Sequence, residues 1–446
     1  MNEPPIRFES IPWRRIFPWL HLTRAFWIAI DLRKLLLAAV GLLLTSLGWL
    51  VIDQLPFGQP IHSPDDQGLW PWQWTLGYEL PSRNVDLPGS ALSEFRGVLD
   101  HPGVTLIQSL SNWQIVLHPL RSISEPCARL FRGSSTWAEI ADAITRLLWG
   151  LIVWSVFGGA IGRIAAVQFA RDQQVGIRAA LRFSLSRFFG YLSAPLLPLS
   201  GVAVFWGLCV IGGWLGRIPG DVGDAILGTL WGLELVFGLI MAVILIGVAA
   251  GWPLMFATIG VEGTDGFDGL SRMYNYVFER PLYYLWQTGL ALLFGSACTF
   301  FVWLMTQLLV HLAIWGVSWG HGYAETIVLV AGSPPITTGG QYSSPLRDMD
   351  PSAAIGAQLI RAWMCVLATL VMGFVYSYFW TSATIIYFTL RRSVDANDVD
   401  EVYLEDEAEE DELLPLVGAA AMGSTATLEP PPAEPPGMSP PVDLTP

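Results

Sequence analysis

The sequence predicts an all-α polytopic membrane protein with six transmembrane helices, and three observations carry that prediction. Charged residues make up 14% of the 446-residue chain, against 52% aliphatic, aromatic and sulfur residues, which is too apolar for a soluble domain. Six apolar runs reach the roughly 20 residues that a helix needs to cross a bilayer core. Arginines gather at alternate ends of those runs, the pattern that sets orientation in membrane proteins.

Residues 1–34 form a basic and aromatic arm with Arg7, Arg14, Arg15, Arg24, Arg33 and Lys34. The first span, 35–52, has no small-residue cleavage pattern behind it and reads as an anchor. Residues 53–142 make an extracytoplasmic loop rich in Trp and Pro, including Trp70-Pro71-Trp72-Gln73-Trp74, with an alternating strand-like stretch at 114–118. It reads as a cap on the span ends, since it lacks the periodic structure of an independent core.

The second span lies near 143–166 and the third near 191–214. The fourth starts near 225 and runs past Pro253, with a kink or break expected at Gly251-Trp252-Pro253. The fifth and sixth lie near 281–312 and 357–388, separated by an outer loop, 319–356, that reads as flexible. Interfacial segments at 171–190 and 262–280 precede spans three and five. With Arg171, Arg178, Arg182, Arg187, Arg272, Arg280, Arg391 and Arg392 on one side, both termini are expected in the cytoplasm.

The segments before spans one, three and five look alike: each is short, basic and aromatic, and suits a helix lying in the headgroup layer. Two readings stay open. The chain is three helical hairpins of one design, each preceded by a cytoplasmic interfacial helix, or every juxtamembrane helix has this look. Residues 390–446 form a tail that is acidic and rich in Pro, expected to be disordered and cytoplasmic. It holds all of the net charge of −14, since residues 393–446 carry 14 Asp and Glu and no Lys or Arg. The body is neutral, so no nucleic-acid surface is indicated.

Charges inside or beside apolar runs are the candidates for function. The stretch 262–280 sets Glu262, Asp265, Asp268, Arg272 and Arg280 between two of the longest uncharged runs, 235–261 and 281–324. Its carboxylates, three residues apart, share a helix face and fit a cation or a lipid headgroup. The competing reading is self-satisfaction: Asp265 or Asp268 caps a helix, Arg272 pairs with Asp268, and Glu262 and Asp265 are left without a local partner. Glu234, placed near mid-bilayer by counting from Asp224, fits either ion handling or an interhelical hydrogen bond. Arg163 and Arg361 lie near span ends and can snorkel, and His311 is a weaker analogue of Glu234.

Gly316-Val317-Ser318-Trp319-Gly320 matches a nucleophile-elbow pattern but follows a membrane helix, where the motif needs a strand before it. No catalytic residues, metal ligands or cofactor are assigned, and Cys127, Cys209, Cys298 and Cys365 share no metal or disulfide spacing.

The pattern Glu262-x-x-Asp265-x-Phe267-Asp268-x-Leu270-Ser271-Arg272, with Arg280-Pro281 and Arg391-Arg392-Ser393-Val394-Asp395, resembles a family of uncharacterised bacterial multi-span integral membrane proteins. The likeness covers most of residues 20–405 and takes in Arg163-Ile164-Ala165-Ala166 and Ala194-Pro195-Leu196. It implies the topology and a bacterial cytoplasmic membrane address, and supplies no activity. Gly266 and Gly269 stand where that family carries other small residues, which implies a looser helix. The expected role is a non-catalytic scaffold or accessory subunit touching membrane lipids, with the tail open to a protein partner. The alternative is a small-molecule or ion permease using Glu234 and a broken fourth helix, and a membrane-embedded enzyme comes third.

Overall fold

Six helices long and apolar enough to cross a membrane dominate the computed structural model. It describes residues 17–58, 69–74, 98, 100–133, 135–218, 221–331, 351–398 and 400–404. Among them there is no strand. The chain divides into two compact units, Met1–Val402 and Tyr403–Pro446; only Tyr403 and Leu404 of the second are described.

A 3-10 turn, Pro18–Thr23, leads into α1 (Arg24–Ala29) and then α2 (Leu32–Asp53), the first span. The long loop contributes a 3-10 turn at Pro71–Gln73, α3 (Pro102–Ser111), a 3-10 turn at Trp113–Leu117 and α4 (His118–Leu130). The next elements are α5 (Trp137–Arg171), α6 (Ile177–Ser186), α7 (Phe188–Leu215), α8 (Asp221–Glu262) and α9 (Gly266–Glu279). The last are α10 (Pro281–His321), α11 (Tyr323–Ala331) and α12 (Pro351–Val394).

Local chemistry sets the ends. Asp31 caps α2 by accepting from the Arg33 amide at 3.0 Å, and Thr136 and Glu139 close a reciprocal capping box on α5. Gly263, at φ 64°, ends α8 in the left-handed conformation that glycine adopts without strain. Pro281 opens α10, where its missing N–H costs nothing.

The helices repeat one unit: a short lead-in helix, an apolar helix, and a return helix. Lead-in helices α1, α6 and α9 precede α2, α7 and α10, and α5, α8 and α12 return. The three return helices pack pairwise against one another, and each hairpin's two helices touch. Each lead-in helix also seats on the return helix of the preceding unit: α6 on α5, α9 on α8 and, closing the circle, α1 on α12. The three-hairpin reading is therefore expressed in packing as well as in sequence order.

Lipid offers no hydrophobic drive between spans, so small residues at the crossings let helices approach. Gly373 of α12 lies where an added Cβ would sit 3.1 Å from the Leu35 carbonyl of α2. At Gly158 of α5 a Cβ would meet the Trp380 ring at 2.7 Å. Trp380 anchors an aromatic core with Trp154, Trp252 and Phe256, drawn from all three return helices. Such ring pairs add about 0.5–1.5 kcal/mol each beyond burial.

Four expectations change. The stretch 114–118 is a 3-10 turn to Leu117 and the first residue of α4, and not a strand. The 53–142 loop is more than a cap on span ends: α3 packs on α10, α4 on α5, and the turn between them on α10 and α12. At its tip His118 Nδ1 is 3.1 Å from the Tyr376 hydroxyl, and Tyr376 stacks on Trp154 with centroids 4.5 Å apart. Trp154 lies 8 residues from Arg146 and 14 from Gln168, about 12 Å and 21 Å along the helix. Those two residues mark the ends of the first hairpin, so the loop re-enters the bundle to mid-depth.

The outer loop 319–356 takes in the end of α10, α11 to Ala331 and, from Pro351, the start of α12, so it is helical there; residues 332–350 lie outside the described residues. The fourth span is one continuous helix through Gly251 and Pro253. Gly247 and Gly251 leave room for the Tyr274 and Met273 side chains of α9. The Tyr284 hydroxyl donates to the Ala250 carbonyl, next to the one that Pro253 leaves without a donor.

Candidate functional site

The site forms where α8, α9 and α12 meet at the end of the bundle that carries the lead-in helices. Glu262 closes α8, the Gly263 turn reverses the chain, and Asp265 caps α9 by accepting from the Asp268 amide at 2.9 Å. One turn later Arg272 reaches back, its Nε 3.1 Å from Asp268 Oδ2 and its Nη1 2.5 Å from Glu262 Oε2. From α12 the Tyr387 hydroxyl donates to Glu262 Oε1, and Arg391 Nε lies 3.6 Å from the same oxygen.

Arg391 continues the network, donating to the Glu401 carbonyl and carboxylate at 2.9 Å each. Tyr276 of α9 donates to Asp395, and Arg171 of α5 donates to the Asp400 carbonyl at 3.1 Å. Asp395, Asp400 and Glu401 thus fold back as a strap over α5, α9 and α12. The first part of the segment expected to be disordered from residue 390 is ordered: α12 runs to Val394 and the strap is bound. Residues 405–446, where the acidic docking strip was placed, lie outside the described residues.

Electrostatics follow from partial burial. Desolvation works against charge on Arg272, but Glu262, Tyr387 and Asp268 outweigh it and raise its pKa. Burial raises the Tyr276 phenol, and the Asp395 carboxylate that it bonds raises it further. Both groups stay protonated across any physiological pH.

Of the sequence candidates, the fold joins Glu262, Asp265, Asp268 and Arg272 and leaves two outside. Arg280 is exposed at the C-cap of α9. Glu234 sits on α8, far along the helix. The expectation that Glu262 and Asp265 lack partners is overturned, since Glu262 has three and Asp265 is a cap. Their carboxylates do not share one helix face. The Gly263 turn puts them on two helices, and among the described residues no three His, Cys, Asp or Glu group as a metal set. Gly266 is a close-packing position, since a Cβ there would lie 2.5 Å from the Gly190 carbonyl of α7.

The half-buried Glu234 presses Oε1 against Gly212 of α7, beside the Cys209 thiol, while Oε2 has no hydrogen-bond partner among the described residues. It lies 26 residues from Gly260, whose carbonyl accepts from Arg163 at 3.1 Å. That is about 39 Å of helix, more than a bilayer core. Along α8 Glu234 therefore stands nearer the loop end than the lead-in end. Arg163 does not snorkel; it is 5% exposed and its guanidinium lies 4.2 Å over the Phe183 ring.

Sequence reasoning missed two buried polar clusters. At the loop end Arg146 is 1% exposed, with Nε 2.9 Å from Asp142 Oδ2 and Nη2 2.5 Å from Asp53. The signal was present: an i,i+4 acid–base pair beside an acid that closes the first span. At the lead-in end Lys34, the chain's sole lysine, is buried and donates to Gln168 at 2.9 Å. Gln168 in turn donates to Asp31 at 2.7 Å.

Comparisons with protein-family models, curated proteins and solved structures find no match to this chain.

Proposed function

We propose that this protein is a non-catalytic scaffold or accessory subunit of a bacterial cytoplasmic membrane, with both termini in the cytoplasm and its lead-in helices at the lipid surface. One observation carries the reading. The charged groups that the fold gathers are spent on one another, with Glu262 tying α8 to Arg272 of α9 and Arg391 of α12. Such a cluster fixes helix positions and a C-terminal strap. The arginines at the lead-in end support the orientation. The likeness of the 262–281 segment to the bacterial multi-span family supports the address, and the acidic tail is the proposed contact for a protein partner.

Purification in native lipid, with mass spectrometry of what co-purifies, tests this. The expected result is a stoichiometric protein partner retained through washing. A lone monomer whose cellular phenotype depends on Glu234 would overturn it.

The second reading, a permease, keeps one supporting observation, the unpartnered Oε2 of Glu234. It predicts that Glu234→Gln abolishes a transport phenotype while leaving stability unchanged.

A further inference from the structure

The three lead-in helices share a place in the fold but not a charge balance. Arg24 of α1 pairs with Asp172, and Arg272 of α9 pairs with Glu262 and Asp268. The α6 region has no such partner: residues 173–220 contain no Asp or Glu. Among the described residues no acid pairs with Arg178, Arg182 or Arg187. Arg178 and Arg182 are exposed and Arg187 is half-buried.

Packing decides which face of α6 looks outward. Ala180, Phe183 and Ser184 are buried on α5, with the Ser184 hydroxyl donating to the Ser155 and Val156 carbonyls at 2.8 and 2.7 Å. At helical spacing, Arg178, Arg182 and Leu185 then share the opposite side. Leu185 is 58% exposed, and Phe189, in the first turn of the span α7, is 80% exposed. Unneutralised arginines thus stand beside uncovered apolar side chains where a membrane helix begins. That juxtaposition matches a surface with phosphate above and acyl chains below. An acidic soluble partner would answer the arginines and leave Leu185 and Phe189 in water.

We propose that the outward face of α6, made by Arg178, Arg182 and Leu185 and continued by Arg187 and Phe189, docks anionic phospholipid headgroups. The guanidinium fork suits phosphate oxygens, and the apolar pair fixes its depth. The proposal rests on the reading above for its placement of the lead-in helices at the bilayer surface, and it names the lipid class. Each arginine near an anionic surface strengthens attachment roughly fivefold, so three give on the order of a hundredfold.

The test is native mass spectrometry of the full chain released from micelles holding equimolar phosphatidylcholine and phosphatidylglycerol. The chain should retain phosphatidylglycerol preferentially. The R178Q/R182Q/R187Q variant should lose that preference, and R178K/R182K/R187K should keep most of it. An unchanged preference in the glutamine variant, or an equal loss in R121Q/R132Q, would overturn the proposal. So would selective displacement by inorganic phosphate over chloride at matched ionic strength, which marks a free-phosphate site. A gain of preference on deleting 405–446 would assign the face to the acidic tail instead. Failure to find a protein partner would remove the scaffold reading and leave this measurement untouched.

Discussion

Glu262→Gln should loosen the end of the bundle where α8, α9 and α12 meet, by an amount that the geometry bounds. Its side chain is 11% exposed and faces Arg391, 8% exposed, and Arg272, 37% exposed. Breaking a fully buried pair from one side costs about 3–5 kcal/mol. Arg272 is open enough to water that its share falls to about 0–1 kcal/mol. Arg391 retains Glu401, and the glutamine oxygen still accepts from Tyr387. A net loss of about 2 kcal/mol remains, below the range for a fully buried break because both arginines keep other carboxylates. Equilibrium unfolding in mixed detergent micelles, followed by circular dichroism, measures it. The comparison is Glu279→Gln, an exposed glutamate at the end of α9. A double-mutant cycle with Arg391→Gln should show coupling of at least about 0.5 kcal/mol. If Glu262→Gln matched Glu279→Gln, or if Arg391→Gln cost the same in both backgrounds, the network would be decorative and the argument wrong.

Arg146→Leu takes from Asp142, 1% exposed, the guanidinium at 2.9 Å while Arg129 stays at 3.8 Å, and removes a partner of Asp53; about 3 kcal/mol should be lost in the same assay, and Asp142→Asn should cost less. Gly295→Ala would place a Cβ 2.3 Å from Tyr378, whereas Gly289 faces open space. The first should destabilise by about 1–3 kcal/mol and the second should not, as thermal unfolding of the two variants will show. Tyr376→Phe removes the hydrogen bond of the His118 ring, for a loss of about 1 kcal/mol. Faster hydrogen exchange at residues 113–118 would confirm that this bond seats the re-entrant turn.

The six spans were legible because hydropathy and length suffice for a helix in lipid, and 35–52 became Leu32–Asp53 with little change. The lead-in helices were legible as basic, aromatic stretches before spans one, three and five. The partners of Glu262 were not, since Arg391 lies 129 residues away and nothing local connects two distant charges. The re-entrant α3 and α4 were hidden by composition. Pro102, Pro119 and Pro126 read as loop signals, yet the first two sit in the opening turns of their helices, where proline is tolerated. The Gly251-Trp252-Pro253 break misled for the reverse reason, because side chains of α9 and α10 fill and brace the turn that the sequence leaves weak.

The burial of Lys34 gives the protein an unusual chemical silence. With 23 arginines and one lysine, the chain offers amine reagents a single side chain, shut between α2 and α5 with its Nζ on Gln168. Acylation of that amine requires the lead-in end of the first hairpin to part. The rate at which Lys34 is labelled is therefore a native clock for that opening, readable in intact membranes without an introduced probe.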